Sequence, residues 1–160
     1  MNNPEAYISY FRNLAAKHTP SCSFFIMDIN EVLEAIRTNI WYPALILINY
    51  NGFLKMNNAD NPINTVNAGF IVIKNVQDID SFNYETAALY NTWNIGCDIL
   101  SRMVHDKASC NPSLEGFDLS SVKYEMMGPV FDNSFGFMFT WKVDVAFPIT
   151  FNKSIWDDYK

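Results

Sequence analysis

Histidine, cysteine and glycine, which carry much of the chemistry of enzyme and metal sites, are scarce in this sequence of 160 residues. His18 and His105 are the only imidazoles through which nucleophilic catalysis or zinc binding could run. Cys22, Cys97 and Cys110 lack metal-type spacing, and their odd number argues against a complete set of intrachain disulfides. The six glycines form no phosphate-binding loop. We therefore predict no catalytic, cofactor-binding or metal-binding residues, and a reducing compartment.

The adjacent residues His105 and Asp106 allow two interpretations. As a catalytic pair, they would make the protein a small-molecule enzyme. The alternative, which we favour, is that His105 supplies a cation or donor to the unsatisfied carbonyl groups at the end of a helix. His18 has the same explanation at the end of the first predicted helix.

Two pairs of acids raise the question of a divalent cation: Asp78 with Asp80, and Asp157 with Asp158. Calcium and magnesium need several convergent oxygen ligands, and neither pair lies in a recognisable loop motif. Helix capping and solvation are the interpretations that we favour.

Long apolar runs and an excess of positive charge are missing as well. No stretch reaches the length of a membrane span, and the opening MNNPEAYISYFRNLAAKH lacks the continuous apolar core of a secretory signal. The net charge is −6, which removes the diffuse positive field that drives non-specific binding to nucleic acids. We predict a protein made in a cytoplasm that does not grip DNA, although an acidic surface can line a passage through which DNA slides.

Three helices are predicted from capping residues and apolar spacing, and the first of them has an apolar stripe of Tyr7, Tyr10, Phe11 and Leu14. Asn3 is an N-cap followed by Pro4 at the first helical position, and Asp28 with Glu31 forms a capping box for a second helix. The longest helix covers about residues 81–105, and its Gly96 is expected to permit close contact between helix and sheet. The stripe predicted to face the sheet comprises Phe82, Leu89, Trp93, Gly96, Leu100 and Met103.

Four segments predict the body of a sheet. SCSFFIM is a short strand, and the nearly continuous apolar run PALILINY is typical of a strand covered on both faces. Asn51-Gly52 behind it is a hairpin signal, which makes FLKM the return arm. After the Asn-rich loop at 57–64, TVNAGFIVIKNV is another strongly apolar strand.

Residues 132–149, DNSFGFMFTWKVDVAFPI, alternate in the pattern of a long strand with one buried face. About fifteen residues in a strand span roughly 50 Å, whereas a compact chain of this size has a diameter of roughly 40 Å. With LSSVKYEMMGPVF as its antiparallel partner, this strand predicts a long hairpin at 119–149, which either bends or projects from the body. Its inward set comprises Phe135, Phe137, Phe139, Trp141, Val143, Val145, Phe147 and Ile149.

The order of these elements predicts one α+β domain over residues 1–160, with a mainly antiparallel sheet and helices packed on one face. The hairpin is followed by a C-terminal tail at 150–160. A free tail should be polar, yet this one carries Phe151, Ile155, Trp156 and Tyr159. Two interpretations stay open, in which the tail packs on its own domain or docks on a neighbour.

This pattern resembles the tail terminators and related head-to-tail joining (neck) proteins of long-tailed bacteriophages. The similarity covers most of the chain and lies in PEAYISYFRNLAAK, PALILINY, TVNAGFIVIKNV, NYETAALYNTWNIGCDILSRMV and VKYEMMGPVFDNSFGFMFTWKVDVAFPI. It implies a non-enzymatic virion protein whose subunits form a ring, commonly a hexamer. Such a ring caps the tail tube, meets the head connector and lets DNA pass.

A ring of identical subunits requires one surface patch to meet a different patch. We predict these patches at the sheet edge and residues 50–64, on the outward face of the closing strand, and in the tail. The alternative function is that of an acidic protein-binding module, such as an immunity or inhibitor protein, which neutralises a basic partner. The predicted interface residues are Phe53, Leu54, Lys55, Met56, Met138, Thr140, Lys142, Asp144, Phe151, Ile155, Trp156 and Tyr159.

Overall fold

The computed structural model describes residues 3–19, 22–26, 41–48, 50–56, 62–77, 82–130, 133–147, 149 and 151–159. Several predictions fall elsewhere in the chain. The capping box at Asp28 and Glu31, with the helix behind it, lies outside these residues. Asp78, Asp80 and most of the Asn-rich loop at 57–64 also lie outside them.

The first helix, α1 (Pro4–Lys17), begins as the sequence predicts. The side-chain oxygen of Asn3 accepts hydrogen bonds from the amides of Glu5, at 2.9 Å, and Ala6, at 3.4 Å. These bonds satisfy two of the amide groups that have no partner inside the helix. The buried stripe is confirmed and comprises Tyr7, Tyr10, Phe11, Leu14 and Ala15.

Six strands form one mainly antiparallel sheet in the described part of the chain. Their order across the sheet is β1-β2-β4-β6-β5, and β3 also pairs with β4. Only the β1–β2 pair among them is parallel. The α+β class is therefore confirmed. The strands are β1 (Ser23–Ile26), β2 (Ala44–Leu47), β3 (Asn51–Met56), β4 (Pro62–Asn75), β5 (Lys123–Val130) and β6 (Ser134–Ala146).

The hairpin predicted at Asn51-Gly52 is wrong, because β3 does not fold back onto β2. Both strands pair with the same edge of β4, one after the other: β2 at 70–73 and β3 at 62–67. Gly52 lies inside β3, where a side chain would overlap the carbonyl group of Thr65. This glycine therefore serves close strand packing rather than a turn. Residues 53–56, predicted as the return arm, do form a strand within β3, but this strand pairs with β4.

The long strand β6 is central to the sheet, so the alternative of a projecting hairpin is wrong. Its neighbour β4 is equally long, and the two pair from Ile63 opposite Ala146 to Asn75 opposite Ser134. The predicted alternation is correct within β6, since Phe139, Trp141 and Val143 are all at most 3% exposed, but it is wrong for Ile149, which lies beyond β6 and is 66% exposed. The strand is long because it spans the whole sheet. The C-terminal hairpin itself is confirmed by antiparallel pairing of β5 with β6.

The second described helix, α2 (Phe82–Ala108), lies across β4 and β6, on the same side of the sheet as α1. Its predicted apolar stripe is partly wrong, because Phe82 is 78% exposed while Trp93 and Leu100 lie at the margin of the core. Bulky rings rise from the sheet, so the helix turns a face with smaller residues towards them. The buried residues of α2 are Ala88, Thr92, Ile95, Gly96, Ile99 and Met103.

Gly96 permits the close approach of α2 to β6, as its position in the sequence predicts. A side chain there would overlap the ring of Phe139, which is 1% exposed. We expect Gly96→Ala to lower the free energy of unfolding by about 1–2 kcal/mol, since overpacking outweighs the gain of about 1 kcal/mol in helix propensity. Urea denaturation measures this change. Combining it with Phe139→Leu should cost less than the sum of the two single changes, and strict additivity would contradict the assigned contact.

The two faces of the sheet differ in how they are covered. The face towards α1 and α2 is buried over the central parts of β2, β4 and β6, but it is exposed on β3 and β5. The opposite face is buried only beside β2, around Ala44, Ile46, Ile71 and Ile73. Beside β3 this opposite face carries exposed residues, including Asn67, Lys142 and Asp144. We call this region the open face.

A candidate assembly surface

The open face brings together predicted interface residues from two strands. Phe53 and Lys55 of β3 lie on the same side of the sheet as Thr140, Lys142 and Asp144 of β6. This follows from register: Phe53 pairs with Thr65 of β4, Thr65 pairs with Asp144, and directly paired side chains share a face. Met138 lies on this face too, but further along β6, where it packs against the buried cluster beside β2.

Specific contacts fix the side chains of the open face. Lys55 Nζ donates to Asp144 Oδ2 at 2.7 Å, and Thr65 Oγ1 donates to Asp144 Oδ1 at 2.5 Å. These bonds from Lys55 and Thr65 hold the pKa of Asp144 below its usual value. Lys142 Nζ lies 5.4 Å from the centre of the Phe53 ring, in a cation–π contact. The open face therefore presents an ordered set of side chains.

The other two predicted residues of β3 point to the opposite side of the sheet. Leu54 and Met56 are 55% and 67% exposed there, which shows that the helices do not cover this strand. Within the described residues, β4 is the only strand that pairs with β3. Within the described part of the chain, β3 therefore has exposed apolar side chains and one unpaired backbone edge.

A groove lies on the open face at the point along β4 where its pairing partner changes from β2 to β3. Its volume is about 320 Å³. Lys123 and Lys142 are the only charged residues among its described lining residues. Sequence reasoning missed Asn67 and Lys123, and it placed Asn51 only within the patch at 50–64, because the pairing register is what reveals that these residues lie together. The lining residues are Ile48, Asn51, Asn67, Ala68, Ser121, Lys123, Thr140, Trp141 and Lys142.

The tail, residues 151–159, forms two short 3-10 turns, Lys153–Ile155 and Asp157–Tyr159. Phe151, Ile155 and Trp156 are 54%, 71% and 52% exposed. The rings of Phe151 and Trp156 stack with their centres 6.4 Å apart. The side chain of Tyr159 lies outside the described part of the structure. The tail thus keeps apolar surface on the outside of its own molecule, which agrees with the interpretation that it docks on a neighbour.

Strand β5 forms the other edge of the sheet. It pairs with β6, and no other described strand pairs with it. Tyr124 and Met126 are each 64% exposed, although Tyr124 also contacts Trp93 of α2 through its ring edge. Sequence reasoning did not single out these two residues, although their alternation in VKYEMMGPV is the signal that could have found them. Among the described strands, β1, β3 and β5 each pair with a single neighbour, and β5 lies at the opposite end of the strand order from β1 and β3.

His105 and Asp106 lie at the end of α2, where the carboxylate clamps the two helices together. Asp106 accepts from Tyr10 of α1 at 3.0 Å and from Arg102 at 2.8 Å. His105 Nδ1 lies 3.4 Å from the same carboxylate, and the His105 side chain is 75% exposed. Burial raises the pKa of Asp106, but the hydrogen bonds from Arg102, Tyr10 and His105 outweigh it and lower the pKa. This arrangement is that of a structural clamp.

Because the pKa of Asp106 is lower in the folded state than in the unfolded state, Asp106 stabilises the fold at neutral pH and loses this effect in acid. We expect Asp106→Asn to cost about 1 kcal/mol of unfolding free energy at neutral pH. The difference from the native chain should shrink as the pH falls below about 4, where the unfolded carboxyl group takes up its proton. Urea denaturation across the acid range measures it. Glu125→Gln, at an exposed position of β5, is the control and should cost less, and equal costs would contradict the clamp.

Among the described residues, no three histidine, cysteine, aspartate or glutamate side chains lie close enough together to hold a metal ion. Burial raises the pKa of the Cys22 thiol to about 11, so this group stays protonated at neutral pH. The pKa of Cys97 is raised too, by burial and by the negative charge of Asp98. These two thiols are therefore weak nucleophiles.

None of the described helices has both the length and the apolar character that crossing a membrane requires. Comparison of the chain with protein-family models, curated proteins and solved structures finds no match.

Proposed function

We propose that this protein is a structural subunit of a bacteriophage virion, similar to the tail terminators and neck proteins that cap the tail tube and join it to the head connector. It acts by assembling with itself and with these partners, and not by catalysis. The observation that carries the proposal is the uncovered part of the sheet, where the open face, the edge of β3 and the apolar tail leave ordered but unshielded surface. Exposed apolar surface of this kind marks sites of association.

Ring formation is supported by the position of the sheet edges at β3 and β5. Since β5 lies at the opposite end of the strand order from β3, a neighbour that meets one of them leaves the other available. Contacts between different patches close into a ring when the rotation between neighbours allows it. Six subunits are what the family resemblance implies. The net charge of −6 agrees with a ring that passes DNA without binding it.

The alternative of an acidic binding module receives less support from the same surface. Lys123 and Lys142 are the charged residues of the groove, and the Asp144 carboxylate is paired with Lys55. An acidic inhibitor would be expected to present unpaired carboxylates where its apolar side chains are exposed. A stable complex with one basic protein, recovered by pull-down, would nevertheless favour that alternative.

Self-association of the purified chain tests the proposal. Size-exclusion chromatography with light scattering, from low micromolar to near-millimolar concentration, should give an oligomer whose fraction of the total protein increases with concentration. If the chain assembles only on its partner, mixing it with tail tubes should give the oligomer there. A chain that stays monomeric at every concentration and ignores tail tubes would overturn the proposal.

A further inference from the structure

The groove on the open face is suited to a large apolar side chain followed by negative charge. Its volume of about 320 Å³ is at the low end for pockets that take up small ligands. Asn51 and Asn67 lie on one side, where Asn67 Nδ2 donates to Asn51 Oδ1 at 3.0 Å. Lys123 and Lys142 supply positive charge on the other side, and no acid lines the groove among its described residues.

The tail carries the complementary chemistry. Trp156 is 52% exposed and is followed directly by Asp157 and Asp158. Tryptophan is enriched at the centres of interfaces, where it fills a pocket on the partner. A tryptophan next to two acids therefore matches a groove whose charged residues are lysines.

The tail of the same molecule does not occupy this groove. The chain leaves the sheet beyond β6, where the amide of Phe147 donates to the carbonyl group of Pro62. The groove lies near Asn67, five residues further along β4, which is a distance of roughly 16 Å. No described residue of the tail is among the residues that line it.

We infer that the tail of one subunit docks on the open face of the next, with the Trp156 indole in the groove and the acids at 157 and 158 facing Lys123 and Lys142. The inference rests on the proposed function and names the contact between neighbouring subunits. Each subunit gives its tail to one neighbour and takes up the tail of the other, so the contact joins different patches as a ring requires.

Two charge-reversal variants of the full chain test this contact. The tail variant carries Asp157→Lys and Asp158→Lys, and the face variant carries Lys123→Glu and Lys142→Glu. Each variant alone places like charges across every contact, so we expect self-association about 10-fold or more weaker than that of the native chain. An equimolar mixture should restore assembly, because each tail then meets an open face of opposite charge.

The outcomes are distinct and are read by sedimentation velocity under the conditions in which the native chain assembles. Variants that assemble like the native chain would overturn the inference and leave the proposed function standing. Variants that fail alone and also fail when mixed would overturn docking between subunits. A native chain that never assembles would remove the proposed function itself. Circular dichroism checks folding, and if Lys142→Glu disturbs it beside Asp144, Lys123→Glu alone serves as the face variant.

A second pair of variants removes apolar surface without changing charge. Trp156→Ala should weaken self-association about 10-fold or more. Trp41→Ala is the matched control, since Trp41 is 82% exposed and lies outside the tail and the groove. Equal effects of the two substitutions would contradict the role of Trp156.

Discussion

Replacing Phe70 with alanine should lower the free energy of unfolding by about 3–5 kcal/mol. Phe70 is fully buried in β4, where its ring lies 5.0 Å from that of Phe139 and 5.8 Å from that of Phe11. It therefore joins α1 to the two long central strands. Its loss leaves a cavity among rings that two helices hold in place, so the surroundings can relax only partly.

Urea denaturation followed by circular dichroism measures this loss. Phe82→Ala provides the matched control, since Phe82 is 78% exposed and should change the free energy of unfolding by less than about 0.5 kcal/mol. The pair of variants also tests the corrected orientation of α2, for which the sequence pattern predicted a buried Phe82. A large cost at Phe82 and a small one at Phe70 would contradict the described packing.

Tyr7→Phe should cost about 1–3 kcal/mol, although it removes a single oxygen atom. The Tyr7 hydroxyl donates to the carbonyl group of Gly69 at 3.1 Å and accepts from the Gly69 amide at 3.1 Å. Gly69 lies between the part of β4 that pairs with β2 and the part that pairs with β3. On this edge of β4 the Ile48 amide donates to the Gly69 carbonyl group, and no described strand residue pairs with Gly69. The phenol thus takes the place of the missing strand, and burial raises its pKa.

The substitution leaves the Gly69 amide buried without its partner, which is the reason for the large cost. Amide hydrogen exchange by NMR should show faster exchange at Gly69, together with the loss of stability in urea. Tyr90→Phe is the control, because the Tyr90 side chain is 69% exposed. An unchanged exchange rate at Gly69 would show that the hydroxyl does not satisfy this amide.

Local signals in the sequence predicted the elements of the fold well, because these elements depend on neighbouring residues. The cap at Asn3, the stripe on α1 and the alternation in β6 all appear in the structure. The predictions that were wrong concern which strands pair with each other. Asn51-Gly52 has the composition of a hairpin turn, but β4 is long enough to pair with β2 and β3 in succession.

The length of β6 was misread for the same reason. The strand is longer than the diameter of a compact chain of this size, which suggested that the chain could not cover it. In the structure, β4 has a similar length and lies beside it. Exposed apolar side chains are therefore found on β3, β5 and the tail, as well as on α2, and not on the buried rings of β6. Phe53 and Lys142 were both predicted as interface residues, but their contact follows only from the pairing register.

The groove could not be predicted from the sequence. It forms where residues from β4, β6 and the segment leading into β5 meet the break between β2 and β3. These residues are far apart in the chain, and none of them has a distinctive local pattern. Trp156 was accessible to sequence reasoning, because a tryptophan in a polar terminal segment is an anomaly that needs no register to detect.

Negative-stain electron microscopy of the purified full-length chain tests most directly whether the uncovered half of the sheet and the tail are surfaces for self-assembly. Closed rings of one size, lost in the Trp156→Ala variant and kept in the Trp41→Ala variant, are the predicted result. Isolated small particles in the native sample, at concentrations where the chain stays folded and also after addition of tail tubes, would contradict the account.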